Sequence, residues 1–314
     1  MGVPKKKKNK NKNASGLPPI DLRLALDYMI YALLALLAAY LIFFIFPVLH
    51  ARLFYSGPLE HQEEIFLNIL RWMREGKNIY QVPDLNFAGA IYPPFYFFVA
   101  DIFVNFMGLS FFSLRLLSLI SIIGMAGCVY AMLRPYVPSR WLCLAWLPLY
   151  FSMWPLYGWM DIGRLEAVFL FLICAGAACV LRANNRPWVL FLGGCLLGLA
   201  AATKQTAIVL LALAFIAVVF DRNYLPVLSG MLLAAAAAYG AGYVLFGPSM
   251  FVWVFEVVAR HGHDYEVGFN LIFYSLRNCS GIAVLLLLFL FALIYTERRK
   301  AFALLFVAVL ALLS

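Results

Sequence analysis

The run LRLALDYMIYALLALLAAYLIFFIFPVL, residues 22–49, decides the class of fold. A helix needs about 20 predominantly apolar residues to cross the hydrocarbon core of a bilayer, and this run exceeds that length. It is too long for the apolar core of a signal peptide, and no small-residue cleavage site follows it, so it reads as a retained anchor. The rest of the chain repeats the pattern. Hydrophobic residues make up 65% and charged residues 12%, against roughly 45–50% and about 25% in soluble domains. Uninterrupted runs of span length also exclude a β-barrel, whose strands are short and alternating. The expected fold is all-α, a polytopic transmembrane helical bundle.

Expected spans are 25–49, 111–133, 141–159, 165–182, 187–203, 206–220, 225–246, 271–295 and 301–314. With the N-terminus in the cytoplasm, the basic loops 134–140, 182–186, 221–222 and 297–300 all fall inside, as positive-inside bias requires. Segment 95–107 carries Asp101 and Asn105 and is short, so it reads as a helix lying in the outer interface rather than as a crossing. Residues 50–110 then form a large first outer loop containing juxtamembrane helices. Residues 161–166, the corner 203–206 and the loop 247–270 join it on the outer side, where the acids gather. Residues 1–21 form a basic cytoplasmic tail, and 22–314 the transmembrane domain. The final run, 301–314, is shorter than a span, and the domain is expected to be incomplete at its C-terminal end.

The net charge of +9 sits largely in the tail Lys5–Lys12 and in loops between spans. Cytoplasmic retention and contact with membrane lipid account for it, and nucleic acid is not an expected partner. The six cysteines show no C-x-x-C spacing, so neither a zinc site nor a disulfide framework is indicated.

The polar island of the first outer loop begins at Ser56-Gly57-Pro58. A helix over 60–75 places Ile65, Phe66, Ile69, Leu70 and Met73 on one face and Glu60, Glu63 and Glu64 on the other. Acids in a first helical turn are also favoured by the helix dipole alone. Tyr92-Pro93-Pro94-Phe95 follows, and its prolines aim the interfacial helix.

The order of these parts is one N-terminal span, an acidic outer helix, Gly76 to Tyr80, Tyr92-Pro93-Pro94, and Arg115-Leu116 opening the next span. Gly163-Arg164-Leu165-Glu166 and Thr203-Lys204-Gln205-Thr206 come later. The whole resembles the GT-C superfamily of membrane glycosyltransferases, particularly the branch of protein O-mannosyltransferases and lipid A aminoarabinose transferases. The resemblance covers roughly residues 25 to 270. It implies inverting transfer of a sugar from a polyprenyl-phosphate donor to a glycan, lipid or protein acceptor at the outer face of a bacterial inner or plasma membrane. It also implies that Glu63 is the first-loop acid, with Glu60 and Glu64 as competitors, and that Glu166 or Asp161 is the second-loop acid. Gln62 departs from the pattern, standing where many members carry Asp.

The chemistry asks for a carboxylate to take the acceptor hydroxyl's proton and for fixed cations on the leaving phosphate. Glu63 is the expected base, with Arg115, Arg164 and Lys204 as the phosphate-binding cations and Tyr92 and Tyr96 as aromatic anchors or a substrate platform. There is no Asp-x-Asp, so no tightly bound divalent metal or other cofactor is expected beyond the lipid-linked donor. His261, His263 and Asp264 are too few donors for a metal site. The alternative readings are a transporter or flippase for a lipid-linked sugar, which would call for ionisable residues near mid-membrane, and a non-catalytic partner in an envelope assembly.

Overall fold

The computed structural model describes residues 22–81, 89–136, 140–144 and 161–260. Among them all regular structure is helical. The principal helices are α1 (Leu22–Tyr40), α2 (Phe46–Phe54), α3 (His61–Arg74), α4 (Phe95–Met107), α5 (Phe111–Leu133), α6 (Arg140–Leu144), α7 (Leu165–Arg182), α8 (Pro187–Ala201), α9 (Ile208–Phe220) and α10 (Leu225–Phe246). A π-helical turn, Leu41–Ile45, joins α1 to α2, and another, Val252–Val257, follows α10.

Four stretches are long and apolar enough to cross a membrane: Tyr31–Phe54, Phe111–Leu133, Leu165–Arg182 and Arg222–Phe246. With the shorter apolar helices α4, α8 and α9 beside them, this is an all-α, multi-pass membrane bundle. The expected spans 111–133, 165–182 and 225–246 coincide with α5, α7 and α10. The first expected span runs on to Phe54. Expected spans 187–203 and 206–220 form helices of only 15 and 13 residues, because the chain turns at 202–207 before a full crossing length is reached. Most of 141–159, and all of 271–295 and 301–314, lie outside the described residues.

The 95–107 helix expected from the sequence is α4. Its polar positions are satisfied by a neighbour: Arg74 of α3 forms an ion pair with Asp101 at 3.0 Å and donates to Asn105. Helices α3 and α4 are thereby tied together.

Helix α8 packs between α7 and α10. A Cβ added at Gly194 would stand 2.1 Å from the Val227 carbonyl oxygen, and one at Gly198 2.3 Å from that of Met231. Lipid gives helices no hydrophobic drive to associate, so small residues that let backbones touch do that work.

Four separate stretches meet at one end of the bundle. The Phe95 N–H donates to the Ala202 carbonyl at 3.1 Å, Asn78 Nδ2 to the Phe246 carbonyl at 2.8 Å, and Trp253 Nε1 to the Gln81 carbonyl at 2.7 Å. Gly163 is bonded to Glu63 there as well. The segments that the sequence reading assigned to one side of the membrane therefore share one end of the structure.

Candidate active site

Helix α3 starts where Glu60, in an extended conformation, accepts the Gln62 N–H on its side chain. That cap turns Glu63 inward and leaves Glu64 exposed. Glu63 is fully buried, as is Arg115, one turn into α5. Oε1 of Glu63 accepts Arg115 Nε at 2.9 Å and the Gly163 N–H at 2.6 Å. Its Oε2 accepts Arg115 Nη2 and the Leu59 N–H, both at 2.7 Å. A carboxylate offers about four lone-pair positions, and all are taken. Arg115 is equally committed: Nη1 donates to the carbonyls of Arg52 and Tyr55 and Nη2 also to that of Gly57, so its five donors are used. Burial on its own would raise the Glu63 carboxyl. The bonds from Arg115, Gly163 and Leu59 outweigh it and hold the group below its ordinary value.

Next to this buried pair lies a second, partly exposed cluster. Arg164, at the N-terminal cap of α7, makes a bidentate pair with Glu166 at 3.1 and 2.9 Å. Its Nη1 is 3.6 Å from Glu60 Oε2. Lys204 Nζ approaches Glu166 to 3.8 Å and sits 5.6 Å above the Phe169 ring. Glu60 and Glu166 remain 27% and 19% exposed, enough to face a ligand. Tyr92 borders the cluster: burial raises its hydroxyl, Glu166 adds to this, and Arg164 offsets part of it.

Asp161 is buried against Arg52, whose Nε lies 3.0 Å away. Among the described residues the contact with Arg52 is mainly one of charge. Burial pushes this carboxyl up further than Arg52 pulls it down. Tyr96 is fully buried, its ring against Phe66 and Phe97 and its hydroxyl donating to the Gly163 carbonyl at 3.4 Å.

Of the residues singled out in the sequence, Glu60, Glu166, Lys204 and Tyr92 come together where a ligand could meet them, around Arg164, which is itself largely buried at 7% exposure. Glu63, Arg115, Tyr96 and Asp161 stand behind them, without exposed surface of consequence. Arg52 and Ser118 were missed. Ser118 is three residues after Arg115, on the same helical face, and that spacing could have flagged it. Among the described residues no group of three or more His, Cys, Asp or Glu side chains could hold a metal. His261, His263 and Asp264 lie outside the described residues.

Fold and cluster together define a multi-pass helical membrane protein with a mixed-charge, partly open site at one end of its bundle. Within that class the chain belongs to glycosyltransferase family 87, whose model matches residues 90–314. Its activity class is therefore glycosyl transfer. The match takes in Arg164, Glu166 and Lys204, while Glu60 and Glu63 precede it. Comparison with curated proteins and with solved structures gives no match.

Proposed function

We propose that the protein transfers a sugar, with inversion, from a polyprenyl-phosphate carrier to an acceptor hydroxyl at the outer membrane face. The observation that carries this reading is the convergence of Glu60, Arg164, Glu166 and Lys204 at one partly exposed spot. Two cations beside two carboxylates suit a reaction in which one group loses a proton while another leaves as phosphate.

The base is assigned to Glu60 rather than Glu63. With every lone pair occupied and its carboxyl held low, Glu63 has nothing to offer an acceptor proton. Glu60 spends Oε2 on its capping bond and on Arg164, and its side chain stays 27% exposed. Arg164 and Lys204 carry the charge that grows on the leaving phosphate, a planar fork and a point charge respectively. Glu166 orients Arg164. Tyr92, at the cluster's edge, is the platform for the sugar, and the fully buried Tyr96 supports it. The expected kinship with O-mannosyl- and aminoarabinose transferases enters this reading through the shared donor class.

Purified protein in proteoliposomes, supplied with a panel of polyprenyl-phosphate sugars, tests it. Glu60→Gln should lower transfer by about 10²–10⁴-fold, the usual size of a general-base contribution. Wild-type rates in that variant would exclude Glu60. Transfer from nucleotide sugars but from no polyprenyl-phosphate sugar would overturn the donor class.

A further inference from the structure

We propose that Glu63, Arg115, Ser118 and Gly163 are positioning residues for glycosyl transfer: they hold the turn Ile162-Gly163-Arg164 so that the Arg164 guanidinium stands where the leaving phosphate's charge develops. This rests on the role given to Arg164 above.

The turn is fixed by side chains from other elements. The Gly163 N–H donates to Glu63 Oε1 at 2.6 Å. The Ile162 carbonyl accepts Ser118 Oγ at 2.7 Å, and the Gly163 carbonyl accepts the Tyr96 hydroxyl at 3.4 Å. Ser118 also reaches the Arg164 carbonyl at 3.4 Å. Arg115 and Ser118 lie on one face of α5, so the first turns of that helix carry much of the frame. Arg115 in turn holds Glu63 with two bonds while clasping the chain at Arg52, Tyr55 and Gly57. The end of α2, the start of α3, α5 and the turn before α7 are thus joined through one buried ion pair.

Gly163 explains why the turn can lie this close. A Cβ there would stand 2.6 Å from Leu114 Cβ and 3.4 Å from Glu63 Oε1. A side chain at 163 must lift the turn off α5 and stretch its bond to Glu63, and Arg164 moves with it. Buried as they are, Glu63 and Arg115 cannot touch a substrate; an effect on transfer has to pass through the residue they place.

The test is a set of cycles with Arg164 in proteoliposomes, reading kcat and donor KM separately. Gly163→Ala should lower kcat about 10- to 100-fold, as small displacements of a working group do, and leave KM within about threefold. The decisive result is the double variant: Gly163→Ala with Arg164→Ala should be no slower than Arg164→Ala alone. Losses that multiply would mean that Gly163 serves stability only and would overturn the proposal, as would a wild-type rate in Gly163→Ala. Ser118→Ala, which removes one hydroxyl and adds no volume, carries the same cycle if Gly163→Ala is not recovered folded. A wild-type rate in Arg164→Ala would fail the role of Arg164 itself, and with it this route; a slow Arg164→Ala with multiplying losses fails the frame alone.

Discussion

Two buried acids in this protein face opposite consequences of burial. Glu63 has four hydrogen bonds and a fully buried arginine partner, so removing either member leaves an uncompensated charge in the interior. Glu63→Ala or Arg115→Ala should each cost about 3–5 kcal/mol, read as a fall in thermal midpoint in detergent. The folded-state carboxyl of Glu63 is held low, so its stabilisation is complete above the unfolded-state value and fades as pH falls through the lower folded value. Asp161 is the reverse. Its carboxyl is raised, so the folded state binds the proton more readily and stability declines as pH rises through the raised value. Asp161→Asn should therefore be far milder at neutral pH than Glu63→Ala and should flatten that decline in a melting-temperature profile against pH. The sequence showed both residues as acids of the outer loops. It could not show that one is saturated by Arg115, by Leu59 and by the Gly163 N–H 100 positions away in the chain while the other is buried chiefly against the charge of Arg52, because those partners are set by packing.

At the scale of elements, the limits of α4 were legible because local chemistry sets them: Pro93-Pro94 before it, and Asp101 and Asn105 within it, forbid a deeper run. The crossing of α8 and α10 was not, because hydropathy treats Gly194 and Gly198 as neutral fillers, whereas the structure uses their missing Cβ atoms as contact surface. The added carbon at either position would meet backbone, which cannot swing aside. Gly194→Ala or Gly198→Ala should thus force the helices apart at a cost of about 1–3 kcal/mol, the range of overpacked cores. The corner holding Lys204 follows α8 directly, and its N–H bonds back to the Ala200 carbonyl at 3.0 Å. A displaced α8 carries Lys204 away from Glu166. Both variants should therefore lower transfer as well as the melting temperature, and a lowered melting temperature with unchanged transfer at low temperature would show that the corner holds its place independently of the crossing.

Across the whole molecule, charge is sorted between the two ends of the helices. The site end collects Glu60, Glu63, Glu64, Glu75, Asp101, Asp161, Glu166 and Glu256 among the described residues, and the arginines there are bound to acids, to carbonyls or, for Arg71, to the Asn68 side-chain amide. The opposite end carries Arg134, Arg140, Arg182, Arg186 and Arg222, with Asp221 beside the last. Basic loops are commonly held in the cytoplasm, and the proposal that the site opens to the outer face rests on this distribution. The sorting was readable in the sequence because it depends only on which loops alternate. The composite site was less so, since it needs first-loop residues that precede the family-matched region to meet residues deep within it. Sidedness can be measured directly. On a background with all six cysteines replaced, Ser56→Cys at the site end should react with a membrane-impermeant maleimide in intact cells, and Asn185→Cys, in the turn between α7 and α8, only after permeabilisation. The reverse pattern would put the site in the cytoplasm. That outcome would remove the argument for an outer-face reaction while leaving the geometry of Glu60, Arg164 and Lys204 as a glycosyl-transfer site intact.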